Sequence, residues 1–269
     1  RVAAALERVG QPQVALRGRC LHVAGTNGKG SVCAMTFAVC KRAGFTVGML
    51  TSPHLLEPLD AIHFARDNAT LPVQPEKWKV LEDEVKEACG INHAGYASES
   101  EIALTIFELQ VVTALLLFAR QQVDVAIIEV GMGGRDDATN VLLEPAACCI
   151  TSIALDHEKF LGPTHEDIAK HKAGIFQRGR PAFVANNGMS DSVQKVIAEI
   201  ASSVGAPLVW VPPAGQSHDS NHPLAQSLEV SGFPHLLQVP LLGDYQRSNV
   251  ALALVLLLEL RSSKLPLRS

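Results

Sequence analysis

The chain has 269 residues, of which 47% are hydrophobic and 19% charged, with a formal net charge of −4. That length accommodates one large α/β domain or two small ones, and the composition is that of an ordinary globular protein with no basic footprint, which argues against nucleic acid as a bulk partner. No run of about 18 apolar residues reads as a membrane span, and the nearest, 250–260, is short enough to read as a buried helix.

Helix and strand patterns alternate along the chain. "RVAAALERVG" is helix-like and stops at Gly10, "CLHVAG" is a short apolar strand, and 31–43 has helical spacing up to Gly44. "TVGMLTS" is a strand that runs into Pro53. Residues 55–75 read as a loop, 75–89 as an amphipathic helix opened by proline and closed by Gly90, and "GINHAGYASES" as a second loop. A long helix is expected over about 99–121, followed by "VDVAIIEVG" and "AACCITSIA", near-continuous apolar runs of strand length. Such runs between helices predict a mostly parallel sheet covered on both faces. "THEDIAKHKAGI" is a helix with a threonine cap and a glycine stop. "PAFVAN", a helix over about 190–203 and "PLVWV" continue the alternation. Residues 212–227 read as a surface loop, "SLEVSGFPHLLQVPL" as a hairpin and "GDYQRSNVALALVLLLEL" as a closing helix. The six cysteines sit in apolar stretches without a CxxC pair and read as small buried hydrophobes in a reducing compartment.

"HVAGTNGKGSV" follows a strand and opens a helix, the context in which a glycine-rich turn binds phosphate. Gly25, Gly28 and Gly30 let main-chain amides approach an anion, Lys29 adds a point charge, and Ser31 offers a hydroxyl at the helix N-terminus. The spacing G-x-x-G-K-G-S differs from the usual P-loop, so a tight turn with an incidental lysine is the competing reading. Other strands also end in polar groups: Ser52 and His54 in "TSPHL", Glu129 after "VDVAII", and His157 in "ALDHEKF". In a parallel sheet those ends face the ligand crevice. Lys172 in "HKAGIF" reads, on its own, as a helix-end lysine favoured by the dipole. Residue patterns alone stop at a Mg²⁺–nucleoside-triphosphate enzyme with a parallel α/β sheet; kinases, ATPases, synthetases and motor domains all remain open.

"HVAGTNGKGSV", "TSPHL", "EVGMGGRDDATN" and "ITSIALDHEKFLGPTHEDIAKHKAGI", in this order, resemble the folylpolyglutamate synthase and dihydrofolate synthase branch of the Mur ligase superfamily. The resemblance implies a P-loop α/β domain of the Mur ligase central type over 1–269, with a core of about 18–262. It implies an ATP-dependent ligase that activates a carboxylate as an acyl phosphate and joins it to L-glutamate. By motif match, Gly25, Thr26, Asn27, Gly28, Lys29, Gly30 and Ser31 hold the triphosphate, and Asn249 contacts adenine. Ser52, Glu129 and His157 match magnesium ligands, and Lys172 matches a lysine that the family carbamylates with CO₂. Lys29, Lys172 and His157 are thus the expected catalytic residues. Thr105, Phe107, Glu108, Asp136, Asp137 and Ala138 are the expected pteroate contacts. "GGRDDATN" and "KAGI" favour addition of glutamate to dihydropteroate, with polyglutamate extension of reduced folate as the alternative and a non-catalytic ATP-binding remnant as the rival. The family's C-terminal domain is expected to lie outside this chain, which alone would bind Mg²⁺–ATP weakly and not ligate. The expected partners are small molecules only, the expected state is monomeric, and the expected location is cytoplasmic, with mitochondria as the alternative.

Overall fold

In the computed structural model, which describes residues 1–91, 101–217, 225–230 and 236–262, the expected alternation becomes a layered sheet. Helices α1 (Val2–Arg8) and α2 (Pro12–Ala15) precede strand β1 (Cys20–Ala24), helix α3 (Lys29–Arg42) and strand β2 (Val47–Leu50). A 3-10 turn (Pro58–Ala61) leads into β3 (Ile62–Arg66) and β4 (Ala69–Leu71), then α4 (Pro75–Ala88) and α5 (Ile106–Arg120). Next come β5 (Val125–Glu129), β6 (Ala147–Ile150), α6 (Glu158–Leu161), α7 (His165–Ala173), β7 (Ala182–Ala185), α8 (Asp191–Val204) and β8 (Leu208–Val211). Strands β9 (Gly215–Ser217), β10 (Gln226–Glu229) and β11 (Leu237–Val239) precede the closing helix α9 (Tyr245–Ser262).

Eight strands form the main sheet in the order β4-β3-β2-β5-β1-β6-β7-β8, parallel from β2 to β8, with β3 and β4 antiparallel at one edge. Every residue of β1, β2, β5, β6 and β7 is buried, as expected of strands covered on both faces. Alternate side chains divide between the two layers. Val125 and Ile127 pack with Val32, Phe37, Leu252 and Leu256 from α3 and α9, whereas Ala126 and Ile128 pack with Val111, Leu115 and Phe118 from α5. Cys148 and Ile150 meet Ala173 of α7 and Ile197 of α8. All six cysteines are free and buried. No helix among the described residues is long and apolar enough to cross a membrane.

Three expectations are corrected. Residues 55–75 are not a loop throughout. Asp67 and Asn68, with φ of 52° and 63°, make the two-residue turn of a hairpin in which Arg66 pairs with Ala69; Asp and Asn tolerate that backbone, and the neighbouring charges obscured the signal. The long helix starts at Ile106 rather than near 99, because Thr105 and Glu108 close a capping box. The Glu108 amide donates to Thr105 Oγ1 at 3.2 Å, and the Thr105 amide to Glu108 Oε2 at 2.7 Å. Residues 92–100, expected as a loop, lie outside the described residues. The expected hairpin near the C-terminus is the β10–β11 pair, but β9, from the stretch read as a loop, joins it in a three-stranded antiparallel sheet.

Candidate nucleotide and substrate site

Four adjacent parallel strands, β2, β5, β1 and β6, carry the polar residues singled out in the sequence to one edge. The registers pair Val23 with Glu129, Leu50 with Ile128, and Ala24 with Ile150, so the chain leaves all four strands at nearly one level. The glycine-rich loop follows β1, Ser52 follows β2, Glu129 ends β5, and Thr151 and Ser152 follow β6. This is the crevice beyond the carboxyl ends of the strands, where α/β sheets bind ligands.

The loop is held from β6. The Thr26 amide donates to the Ser152 carbonyl at 2.8 Å and the Asn27 amide to Ser152 Oγ at 2.9 Å. Thr151 Oγ1 donates to the Asn27 carbonyl at 2.7 Å, and Thr26 Oγ1 to the Ala154 carbonyl at 3.1 Å. Gly25 and Gly28 take φ of 143° and 92°, conformations that L side chains rarely adopt. A Cβ on Gly25 would run into the Thr151 side chain, and one on Gly28 into the Asn249 amide. Asn249 is buried on α9, and its Nδ2 donates to Gln246 Oε1 at 2.9 Å. A cavity of about 460 Å³ between the loop and α9 is lined by Asn27, Gly28, Asn186, Asn187, Arg247 and Asn249, among others. Thr151, Ser152, Asn186 and Asn187 were not singled out in the sequence. They also follow apolar strands, and that signal could have found them.

Lys29 turns back over the loop. Its Nζ donates to the carbonyls of Gly25 at 3.0 Å and Thr26 at 3.1 Å and stands 4.0 Å from Glu129 Oε1. The other oxygen, Oε2, accepts from the Ser52 amide at 3.4 Å. Glu129 is 4% exposed. Burial pushes its pKa up from 4.5 to about 7, against the opposing pull of the Lys29 ammonium and the Ser52 amide. The folded chain therefore keeps a proton that the unfolded chain loses between about pH 4.5 and 7. Stability carried by this group is full below that window, falls as pH rises through it, and is gone above it, a loss of roughly 3 kcal/mol. The stability difference between the unaltered chain and Glu129→Gln, measured by urea unfolding at about pH 5 and about pH 8, separates this loss from the titration of other buried groups and should shift by that amount between the two pH values.

Lys172, read from sequence as a helix-end lysine, is only 3% exposed on α7. Burial lowers its pKa to about 8, Lys29 adds to the lowering, and Asp156 opposes it. His157 caps α6 and is half-exposed, 3.7 Å from Asp156. It shares with Ser52 a second cavity of about 600 Å³, whose walls include Thr105, Phe107, Glu108, Asp136, Asp137 and Ala138. All six expected pteroate contacts thus meet in one cleft beside the loop. Several also hold local structure: Glu108 caps α5 and pairs with Arg1, and Asp136 pairs with Arg135 and His171. Among the described residues no group of three or more His, Cys, Asp or Glu side chains could hold a metal ion. The hydroxyl of Ser52 and the carboxylate of Glu129 are nonetheless hard oxygen donors, and with the borderline imidazole of His157 they suit a divalent cation that keeps water and phosphate oxygens.

The family description "Mur ligase middle domain" matches residues 23–257. Dihydrofolate synthetase of Saccharomyces cerevisiae is 36% identical, over 98% of this chain and 58% of its own length. Folylpolyglutamate synthase of Lacticaseibacillus casei is 34% identical, over 94% of this chain and 58% of its own length. A solved FPGS–AMPPCP–folate complex superposes with a TM-score of 0.84 at 33% identity, covering 100% of this chain and 64% of that one. The chain thus spans less than two thirds of these relatives. With the matched model running from the strand before the glycine-rich loop almost to the end of α9, the chain belongs to the Mur ligase family, through that family's middle domain.

Proposed function

We propose that this chain is the ATP-binding domain of an ATP-dependent acid–amino-acid ligase that joins L-glutamate to a pteroate-type carboxylate. The observation that carries the reading is the meeting, at one sheet edge, of the Lys29 loop, Glu129 and a 600 Å³ cleft lined by Ser52 and His157. The similarity to relatives named for these reactions, and to a complex containing AMPPCP and folate, supports it.

Residues Gly25 to Ser31 wrap the triphosphate with main-chain amides, and Asn249 faces the base in the 460 Å³ cavity. A magnesium ion would be held by Ser52, Glu129 and His157, and when bound it neutralises charge on the transferring phosphoryl group. The substrate carboxylate attacks the γ-phosphorus, the bond to ADP breaks, and an acyl phosphate forms. The glutamate amine then attacks the acyl carbon and phosphate leaves. Lys29 stabilises charge on the moving phosphoryl group. The cleft walls, Thr105, Phe107, Glu108, Asp136, Asp137 and Ala138, orient the pteroate. Lys172, neutral in part near pH 8, reacts with CO₂ to form a carbamate with release of a proton. Chains incubated with ¹³C-bicarbonate should show a carbamate carbon signal by NMR; its persistence in Lys172→Met would remove that role.

Dihydropteroate is favoured over tetrahydrofolate by "GGRDDATN" and "KAGI". The six buried free thiols support a reducing compartment such as the cytoplasm. The test is a coupled assay in which phosphate release must require a pteroate and L-glutamate together. Release with neither supports a plain ATPase and sinks the ligase reading. Measurable ligation by this chain alone would overturn the expectation that a second domain is required.

A further inference from the structure

Several buried titratable side chains have no part in the scheme above, and one of them is an imidazole. His22 lies in the middle of β1, fully buried. Its Nε2 is 2.9 Å from Thr139 Oγ1, and Thr139 Oγ1 is 2.5 Å from Asp137 Oδ1. Asp137 also accepts from the Thr139 amide at 2.9 Å through Oδ1 and from the Met132 amide at 2.8 Å through Oδ2. Asp137 and Met132 are both walls of the 600 Å³ cleft.

Counting protons gives the chain a direction. A carboxylate only accepts, and a threonine hydroxyl has a single proton to give. Thr139 gives it to Asp137, so Thr139 must accept from His22, and the ring proton of His22 sits on Nε2. Nδ1 is then a bare acceptor, and it is the ring atom that has no partner among the described residues. Burial holds the ring neutral by lowering its pKa to about 3, so it remains a one-way donor at ordinary pH.

We infer that His22 is a positioning residue: acting through Thr139, it holds Asp137 as a fixed, acceptor-only carboxylate that selects a ligand offering N–H donors to the cleft. Of about four lone-pair sites on the carboxylate, three are filled by Met132 and Thr139, which leaves one for a ligand donor such as a ring N–H of a pterin. The identity of that ligand rests on the ligase reading; the relay itself does not.

The test uses the whole chain. ¹⁵N NMR of labelled histidine should show His22 as the Nε2–H tautomer, and the Nδ1–H tautomer overturns the inference. His22→Leu and Thr139→Val should each weaken folate binding about tenfold, the worth of one hydrogen bond, while AMPPCP affinity holds within about twofold. His22→Gln, whose side-chain amide replaces the Nε2 donor, should restore folate binding. Equal losses for both ligands would mean a purely structural histidine and overturn the inference. If neither dihydropteroate nor folate binds the unaltered chain, the ligase reading fails. Hydrogen exchange at the Met132 amide then decides the relay, with acceleration of about tenfold expected in Thr139→Val and unchanged exchange overturning it. Should His22→Leu not fold, Thr139→Val and the tautomer of the unaltered chain decide.

Discussion

Lys29→Ala is expected to weaken binding of a non-hydrolysable ATP analogue by close to a thousandfold, about 4 kcal/mol, the scale for truncating one partner of a desolvated charge pair across a binding interface, here the ammonium with the phosphates. The Lys29 side chain is 16% exposed and Glu129 5%, so water replaces little of what is lost. The same substitution removes the ammonium that holds Glu129 down, so the carboxyl pKa should climb above its present value of about 7. Isothermal titration with the analogue measures the first effect, and the pH dependence of stability the second. Lys29→Arg keeps the charge but not the compact ammonium that fits two loop carbonyls, at 3.0 and 3.1 Å, and should recover only part of the affinity. An affinity for the analogue unchanged by Lys29→Ala would remove the loop from nucleotide binding.

Gly25→Ala should destabilise the fold by about 4 kcal/mol, combining backbone strain with overpacking. The glycine sits at φ 143°, its missing Cβ would overlap the Thr151 side chain, and the Thr151 amide nitrogen lies 3.0 Å from the same point. Thr151 cannot turn away freely, because its hydroxyl donates to the Asn27 carbonyl at 2.7 Å. Thermal unfolding should show a midpoint lower by roughly 10 °C. Gly25→Ala,Thr151→Ala relieves the overlap and should return part of the loss, whereas Gly10→Ala, at φ 85° with nothing within 4 Å, meets strain alone and should cost less. Equal losses at both glycines would mean that the close approach to Thr151 carries no energy.

Much of this was legible from residue order. The near-continuous apolar runs of β5 and β6, set between helices, identified a sheet buried on both faces, since an alternating pattern would have meant one wet face. Glycines and a lysine between a strand and a helix marked the phosphate loop, because only that junction offers unpaired helix amides to an anion. The short edge strands β3 and β4 escaped notice because β3 mixes apolar residues with His63 and Arg66 and β4 is only three exposed residues, and α5 was started early because its capping box was overlooked.

Chain order could name Lys29, Ser52, Glu129, His157 and Lys172 one by one as local signals. Bringing the first three together required the strand order β2-β5-β1, which sets side by side segments separated by up to a hundred residues. Burial, too, was invisible along the chain. Lys172 read, on its own, as a helix-end lysine favoured by the dipole and is enclosed, and Glu129 rose toward pH 7 only because packing removed its water. Periodicity and turn chemistry are written in neighbouring residues, but distance, register and desolvation belong to contacts between remote ones, and those exist only once the layers have closed.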